Sequence, residues 1–158
     1  MTKTKTVYFG AGWFSDTQTK AYDEAMKNLK ANPTVDFDNS YVPLDNQYKD
    51  IRVDLHPEYL RDKEWATATY QSDLLGIRST DVMLGVYVPG EEDVGLGVEI
   101  GYALSQSKFI LLAVPDELFG NSINLMSWGA ADNVIKLSEL KDYDFNNPRF
   151  NFYDGAVY

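Results

Sequence analysis

Two carboxylates in this chain occupy positions that solvation alone does not explain. Glu99 lies in Gly95-Leu96-Gly97-Val98-Glu99-Ile100-Gly101-Tyr102, just inside a helix that the pattern starts near Gly95. A helix N-terminus stabilises negative charge by roughly 0.3–1 kcal/mol, so the position is expected to keep Glu99 ionised and available as a nucleophile. The glycines around it let a ligand or a neighbouring backbone approach closely. Three residues after Leu96 and four before Ala103, Glu99 borders the buried face of its helix. An acid in a first helical turn can also serve the dipole alone, and that reading stands beside the catalytic one.

Asp73 shares a helical stripe with Ala66, Tyr70 and Ile77, so the pattern puts it on a largely apolar face. A carboxylate there must be paired, protonated or part of a site, because an unpaired buried charge is costly. A helix-end acid reaching solvent is the competing reading. Asp93 follows Glu91-Glu92 and reads either as an N-cap or as a ligand-binding acid. Gly10-Ala11-Gly12-Trp13-Phe14-Ser15 has a dinucleotide-like start, but Ser15 stands where the third glycine belongs. Trp13 and Phe14 suit stacking on a planar base better than contact with a pyrophosphate. His56, the sole histidine, precedes a proline and has no nucleophile elbow or zinc-ligand spacing to serve, so it reads as structural.

The elements that must position these residues alternate between strand and helix. Thr6 to Phe9 is a buried strand running into the Gly10-Ala11-Gly12 turn. Ser15 then offers an N-cap, with Gln18 at the capping-box position. Tyr22, Ala25, Met26 and Leu29 share one face of the helix that follows, and Asn32-Pro33 closes it. Asn39 to Leu44 is a weak second strand, and a second helix is expected from Pro57. Asp81 to Val88 is the clearest strand, followed by a loop, Pro89 to Gly95, and a third helix to about Ser107. Phe109 to Val114 is another buried strand, Val134-Ile135 a short last one, and Tyr143 to Tyr158 an aromatic tail. The expectation is a single α/β domain over residues 1–158, a flavodoxin-like three-layer sandwich with a mainly parallel sheet of about five strands. In such sheets ligands bind beyond the C-terminal strand ends, which here carry Gly10 to Phe14, Tyr41 to Gln47, Pro89 to Glu99 and Pro115 to Met126.

Composition narrows the chemistry. A net charge of −10 argues against binding a nucleic-acid polymer, which requires clustered Lys and Arg. The absence of cysteine removes thiolate nucleophiles and fits a cytoplasmic protein. No apolar run is long enough to span a bilayer, so no membrane association is expected.

The combination resembles the nucleoside 2-deoxyribosyltransferases, in particular the class that accepts purines and pyrimidines. The resembling segments are Tyr8-Phe9-Gly10-Ala11-Gly12-Trp13-Phe14, Tyr41-Val42-Pro43-Leu44-Asp45-Asn46-Gln47-Tyr48, Trp65-Ala66-Thr67-Ala68-Thr69-Tyr70, Glu91-Glu92-Asp93-Val94-Gly95-Leu96-Gly97, Glu99-Ile100-Gly101-Tyr102-Ala103, Asn124-Leu125-Met126-Ser127-Trp128-Gly129 and Gly155-Ala156-Val157-Tyr158. They span nearly the whole chain in one order. The resemblance implies base exchange on 2'-deoxyribonucleosides in nucleoside salvage, with free nucleobases as acceptors, and a homohexamer whose sites are shared between subunits. It assigns Glu99 as the nucleophile on the anomeric carbon and Tyr8 as the residue that holds it. It further assigns Asp93 to the sugar 3-hydroxyl, Asn124 of a neighbouring subunit to the 5-hydroxyl, and Asp73 and Gln47 to the base. Asp73 is also given the base's proton to handle, while Met126 and Tyr158 complete the pocket. No metal and no organic cofactor are implied. Two rival readings remain at this point: an N-glycosidase using water as acceptor, and a flavodoxin-like binding module without catalysis.

Overall fold

The computed structural model describes residues 4–158. Four strands form one parallel sheet in the order β1-β2-β3-β4: β1 (Val7–Ala11), β2 (Val82–Val86), β3 (Phe109–Val114) and β4 (Asn133–Lys136). Between them run α1 (Asp16–Ala31), α2 (Lys63–Ser79), α3 (Val94–Ser105) and α4 (Leu125–Ala130). The strands are apolar at consecutive positions because both faces of the sheet are covered. Val7, Phe9, Leu84, Leu111 and Ala113 point to one face, under α1 and the segment through Leu137, Leu140 and Phe145. Tyr8, Met83, Ile110 and Leu112 point to the other, under Ile77 of α2, Leu96 and Ile100 of α3, and Ala130 of α4. This is the expected three-layer arrangement.

The strand expected over Asn39 to Leu44 does not form. Its segment is bridged to the free edge of β1 at a single position, Tyr8 with Tyr41, while a second isolated bridge, Lys5 with Val35, joins the residues ahead of each. A turn over 38–40 takes up its first residues and a 3-10 helix, Pro43–Asp45, cuts it short, since proline has no N–H for a ladder. The sheet therefore has four strands where about five were expected. With the bridged segment on the outer edge of β1, the order follows the 2-1-3-4-5 pattern of flavodoxin-like folds.

Three further local expectations are corrected. Pro57 opens a 3-10 helix, Pro57–Arg61, and the second helix begins only at Lys63, where the Asp62 side chain caps the N–H groups of Glu64 and Trp65. The buried residues of α2 include Trp65, Thr69, Gly76 and Ile77, whereas Tyr70 is 57% exposed, so Asp73 borders the buried face instead of sitting in an apolar stripe. Ser15 does cap α1 through Gln18 N–H, but Gln18 does not reach back to Ser15. Its Oε1 accepts from Phe14 N–H at 2.8 Å and its Nε2 donates to Glu91 O at 2.8 Å, tying the loop after β1 to the loop after β2. Among the described residues no helix is long and apolar enough to cross a membrane.

Candidate active site

The site begins with two glycines at paired positions of the sheet. Gly10 of β1 lies beside Gly85 of β2 on the face that α3 covers. A methyl group at Gly10 would stand 2.8 Å from Met83 Cε, 2.9 Å from Leu96 Cδ1 and 2.9 Å from Glu99 Oε2. One at Gly85 would stand 2.8 Å from Leu112 Cδ2 and 3.4 Å from Leu96 Cδ1. Without side chains at either position, the first turns of α3 settle onto the sheet and bring the Glu99 carboxylate over the backbone of β1.

Tyr8, fully buried, sits two residues earlier on the same face. Its hydroxyl donates to Glu99 Oε1 at 2.9 Å. Burial, followed by the charges of Glu99 and Asp73, raises the Tyr8 pKa far above its ordinary value, so the phenol remains a donor at any working pH. Oε1 is therefore occupied, and Oε2 is the oxygen over Gly10.

Burial corrects the expectation that the helix dipole keeps Glu99 ionised. Desolvation pushes its pKa up to about 8, and the charges of Asp73 and Asp93 push the same way, while the Tyr8 hydrogen bond opposes them. A dipole term of roughly 0.3–1 kcal/mol is less than one pKa unit, so it loses to burial. Asp73 is also raised by burial, to about 6, with a hydrogen bond from Tyr41 holding it back. Near neutral pH the two carboxyls together hold about one proton, a property of the pair.

The remaining assigned residues fall into separate places. Asp93 is the N-cap of α3, its Oδ1 accepting from Gly95 N–H at 2.9 Å, so the capping reading holds. Gln47 is buried, and its Oε1 accepts from Val53 N–H at 2.7 Å. Its carbonyl oxygen is thus committed to the loop that carries it. Trp13 and Phe14 pack with ring centroids 4.4 Å apart, and Phe14 is 70% exposed at the mouth of the loop after β1. His56 lies on the surface beside Glu58, away from these groups.

Asn124, Met126 and Tyr158 share a cavity of about 470 Å³ with Asp93, Val94, Val98 and Leu104, and Glu99 is not among its lining residues. Asn124 caps α4 by accepting from Met126 N–H at 2.9 Å, and Met126 is 77% exposed. The tail is fixed here as well: Leu125 N–H donates to Tyr158 O at 2.9 Å. The Tyr87 hydroxyl donates to Glu92 Oε1 at 3.3 Å and also accepts from Asn124 N–H at 3.0 Å. Glu92 was readable in the sequence only as one of three loop acids, yet it joins the loop of Asp93 to the loop of Asn124. The structure thus gathers Glu99, Tyr8, Gly10 and Asp73 in one cluster and Asp93, Asn124, Met126 and Tyr158 around another cavity.

Sequence comparison matches residues 7–126 to the family described as Nucleoside 2-deoxyribosyltransferase. A nucleoside deoxyribosyltransferase of Lactobacillus leichmannii is 71% identical over 154 residues, covering 98% of each chain. One from Lactobacillus johnsonii is 74% identical over 148 residues, covering 94% of this chain and 99% of that one. The solved structure of a 2-deoxyribosyltransferase from Bacillus psychrosaccharolyticus superposes with a TM-score of 0.74 at 22% identity, covering 94% of this chain and 98% of that one, a likeness of fold.

Proposed function

Because the chain belongs to the nucleoside 2-deoxyribosyltransferase family, we propose that it exchanges the purine or pyrimidine of 2'-deoxyribonucleosides by a retaining double displacement on Glu99. The observation that carries this reading is the single hydrogen bond from Tyr8 to Glu99 Oε1, which leaves Oε2 free over the side-chain-less Gly10.

In the first half-reaction Glu99 Oε2 attacks C1' of the sugar as the glycosidic C–N bond breaks. The bonding pair leaves with the base, and Asp73 supplies the proton that the base nitrogen takes up. The reactive arrangement of the pair thus has its proton on Asp73 and its charge on Glu99. In the second half-reaction an incoming base gives its N–H proton to Asp73 and attacks C1', and the ester bond breaks to restore the Glu99 carboxylate. Two inversions leave the anomeric configuration unchanged.

Asp93 binds the sugar 3-hydroxyl, Gln47 contacts the base through its amide nitrogen, and Phe14 and Trp13 cover the base plane. Asn124, Met126 and Tyr158 complete the pocket of a neighbouring subunit in a homohexamer. One fact supports that sharing: the exposed apolar side chains Val94, Val98 and Leu104 stand beside these residues. The activity serves nucleoside salvage.

Incubation with a deoxynucleoside and a different free base tests the reading. A new deoxynucleoside is the expected product, whereas release of free sugar and base alone would mean water is the acceptor and the transfer reading fails.

A further inference from the structure

The pair of carboxyls is held by a pair of tyrosines, Tyr8 on Glu99 and Tyr41 on Asp73. We propose that Tyr41 positions Asp73 for proton transfer, its hydroxyl clamping one carboxyl oxygen and leaving the other for the substrate's base. The inference rests on the reading of Asp73 as the proton carrier and adds the residue through which that carboxyl is held.

Tyr41 is fixed at three levels. Its backbone is pinned to the free edge of β1, with Tyr41 N–H donating to Val7 O at 2.9 Å and Phe9 N–H donating to Tyr41 O at 2.8 Å. Its ring lies against that of Tyr8, centroids 5.4 Å apart and planes 6° from parallel. The opposite contact is with α2 at Gly76, where an added methyl group would stand 2.5 to 2.7 Å from the Tyr41 ring atoms. Glycine is the least favourable residue in a helix interior after proline, and here its missing side chain makes the notch that admits the ring.

So held, the hydroxyl of Tyr41 donates to Asp73 Oδ1 at 3.0 Å and lies 3.1 Å from Ser72 Oγ. Among the described residues no hydrogen-bond donor reaches Asp73 Oδ2. The two stacked phenols thus form a two-pronged holder: Tyr8 carries the Glu99 carboxyl and Tyr41 the Asp73 carboxyl. The stack sets the spacing at which nucleophile and proton carrier meet one substrate.

The clamp has an electrostatic side. The titratable groups facing Asp73 are Tyr41 itself, Tyr8 of β1 and Glu99 of α3. Burial raises the pKa of the Tyr41 phenol, so it stays a donor. Donating to the ionised carboxylate opposes the desolvation that raises Asp73, which keeps that carboxyl able to lose its proton as well as gain it.

Tyr41→Phe removes the hydroxyl and keeps the ring that fits Gly76 and Tyr8. Carboxyl titration of the full-length protein labelled with 13C-aspartate, with the Asp73 signal assigned by its loss in Asp73→Asn, should show the Asp73 midpoint rising by about one pH unit. Base exchange should slow on the order of tenfold in kcat with KM little changed, and the thermal midpoint should stay near that of the parent. An unmoved Asp73 midpoint would overturn the role of Tyr41. Should Tyr41→Phe fail to fold, Gly76→Ala carries the same test by displacing the ring with its hydroxyl intact: an upward move is expected, and none overturns the proposal. Full base exchange in Asp73→Asn would instead sink the underlying reading of Asp73.

Discussion

The two sides of α3 differ in how finished they are. Toward the sheet, Glu99 and Asp73 are held by buried or half-buried tyrosines at 2.9 and 3.0 Å, over a floor made by Gly10. On the other side, Asn124 is spent on its own helix cap, and Met126 and Tyr158 are exposed along an open apolar cavity. Folding of one chain alone sets the interior carboxyl pair, because burial and fixed hydrogen bonds come with the core. The rim is open by contrast, which fits the proposal that its residues orient substrate in a second copy's pocket. Catalytic geometry and substrate binding should therefore respond differently to substitution.

The largest effect distinguishing the two regions is expected at Asp73. Asp73→Asn keeps the shape and removes the transferable proton, so kcat for exchange should fall by about 10² to 10⁴. Full activity would take the interior pair apart as a functional unit. Gly10→Ala comes next: its methyl group meets Glu99 Oε2 and two core side chains, and a displacement of order 1 Å should cost about 10²-fold in kcat. Stopped-flow or steady-state exchange with saturating nucleoside reads it, and a change confined to KM would contradict the account.

At the rim the expected effect is smaller and of another kind. Asn124→Ala should raise KM for the deoxynucleoside about tenfold with little change in kcat. Mixing Asn124→Ala chains with Glu99→Ala chains should regenerate some sites complete in both residues, and hence a fraction of turnover with the parent's low KM. No recovery in co-assembled mixtures would place both residues in one subunit's pocket.

The smallest effect is on stability. Glu99 is raised in the folded state, to about 8 from 4.5, so its proton is bound more tightly folded than unfolded. Stability from this group is fully present below the unfolded value and is lost as pH rises through the folded one. Glu99→Gln lacks that loss, so it should gain on the parent between about pH 5 and 8, most at the alkaline end. Parallel thermal midpoints for the two proteins across that range would show that burial does not strain Glu99.

Much of the fold was legible because apolar runs between turn signals are a local property. Phe109–Val114 has the expected bounds, and β4 contains the expected Val134-Ile135. The second strand was not, because Pro43 ended it and only pairing with β1 could reveal what remained. Glu99 is legible as an acid in a glycine-rich helix start, but the burial that raises its pKa is not, since dipoles can be read from sequence and desolvation cannot. Asp73 was noticed from a helical stripe that Tyr70 does not in fact bury. The place of Tyr41 is not legible, although Gly76 hints at it: a glycine inside a helix suggests that something must come close, but not what.

The most direct test of the central claim is intact-protein mass spectrometry after acid quenching with a deoxynucleoside. A deoxyribosyl adduct should appear on the parent protein, map to Glu99, and be absent from Glu99→Ala. An adduct on another residue, or full base exchange by Glu99→Ala, would contradict it.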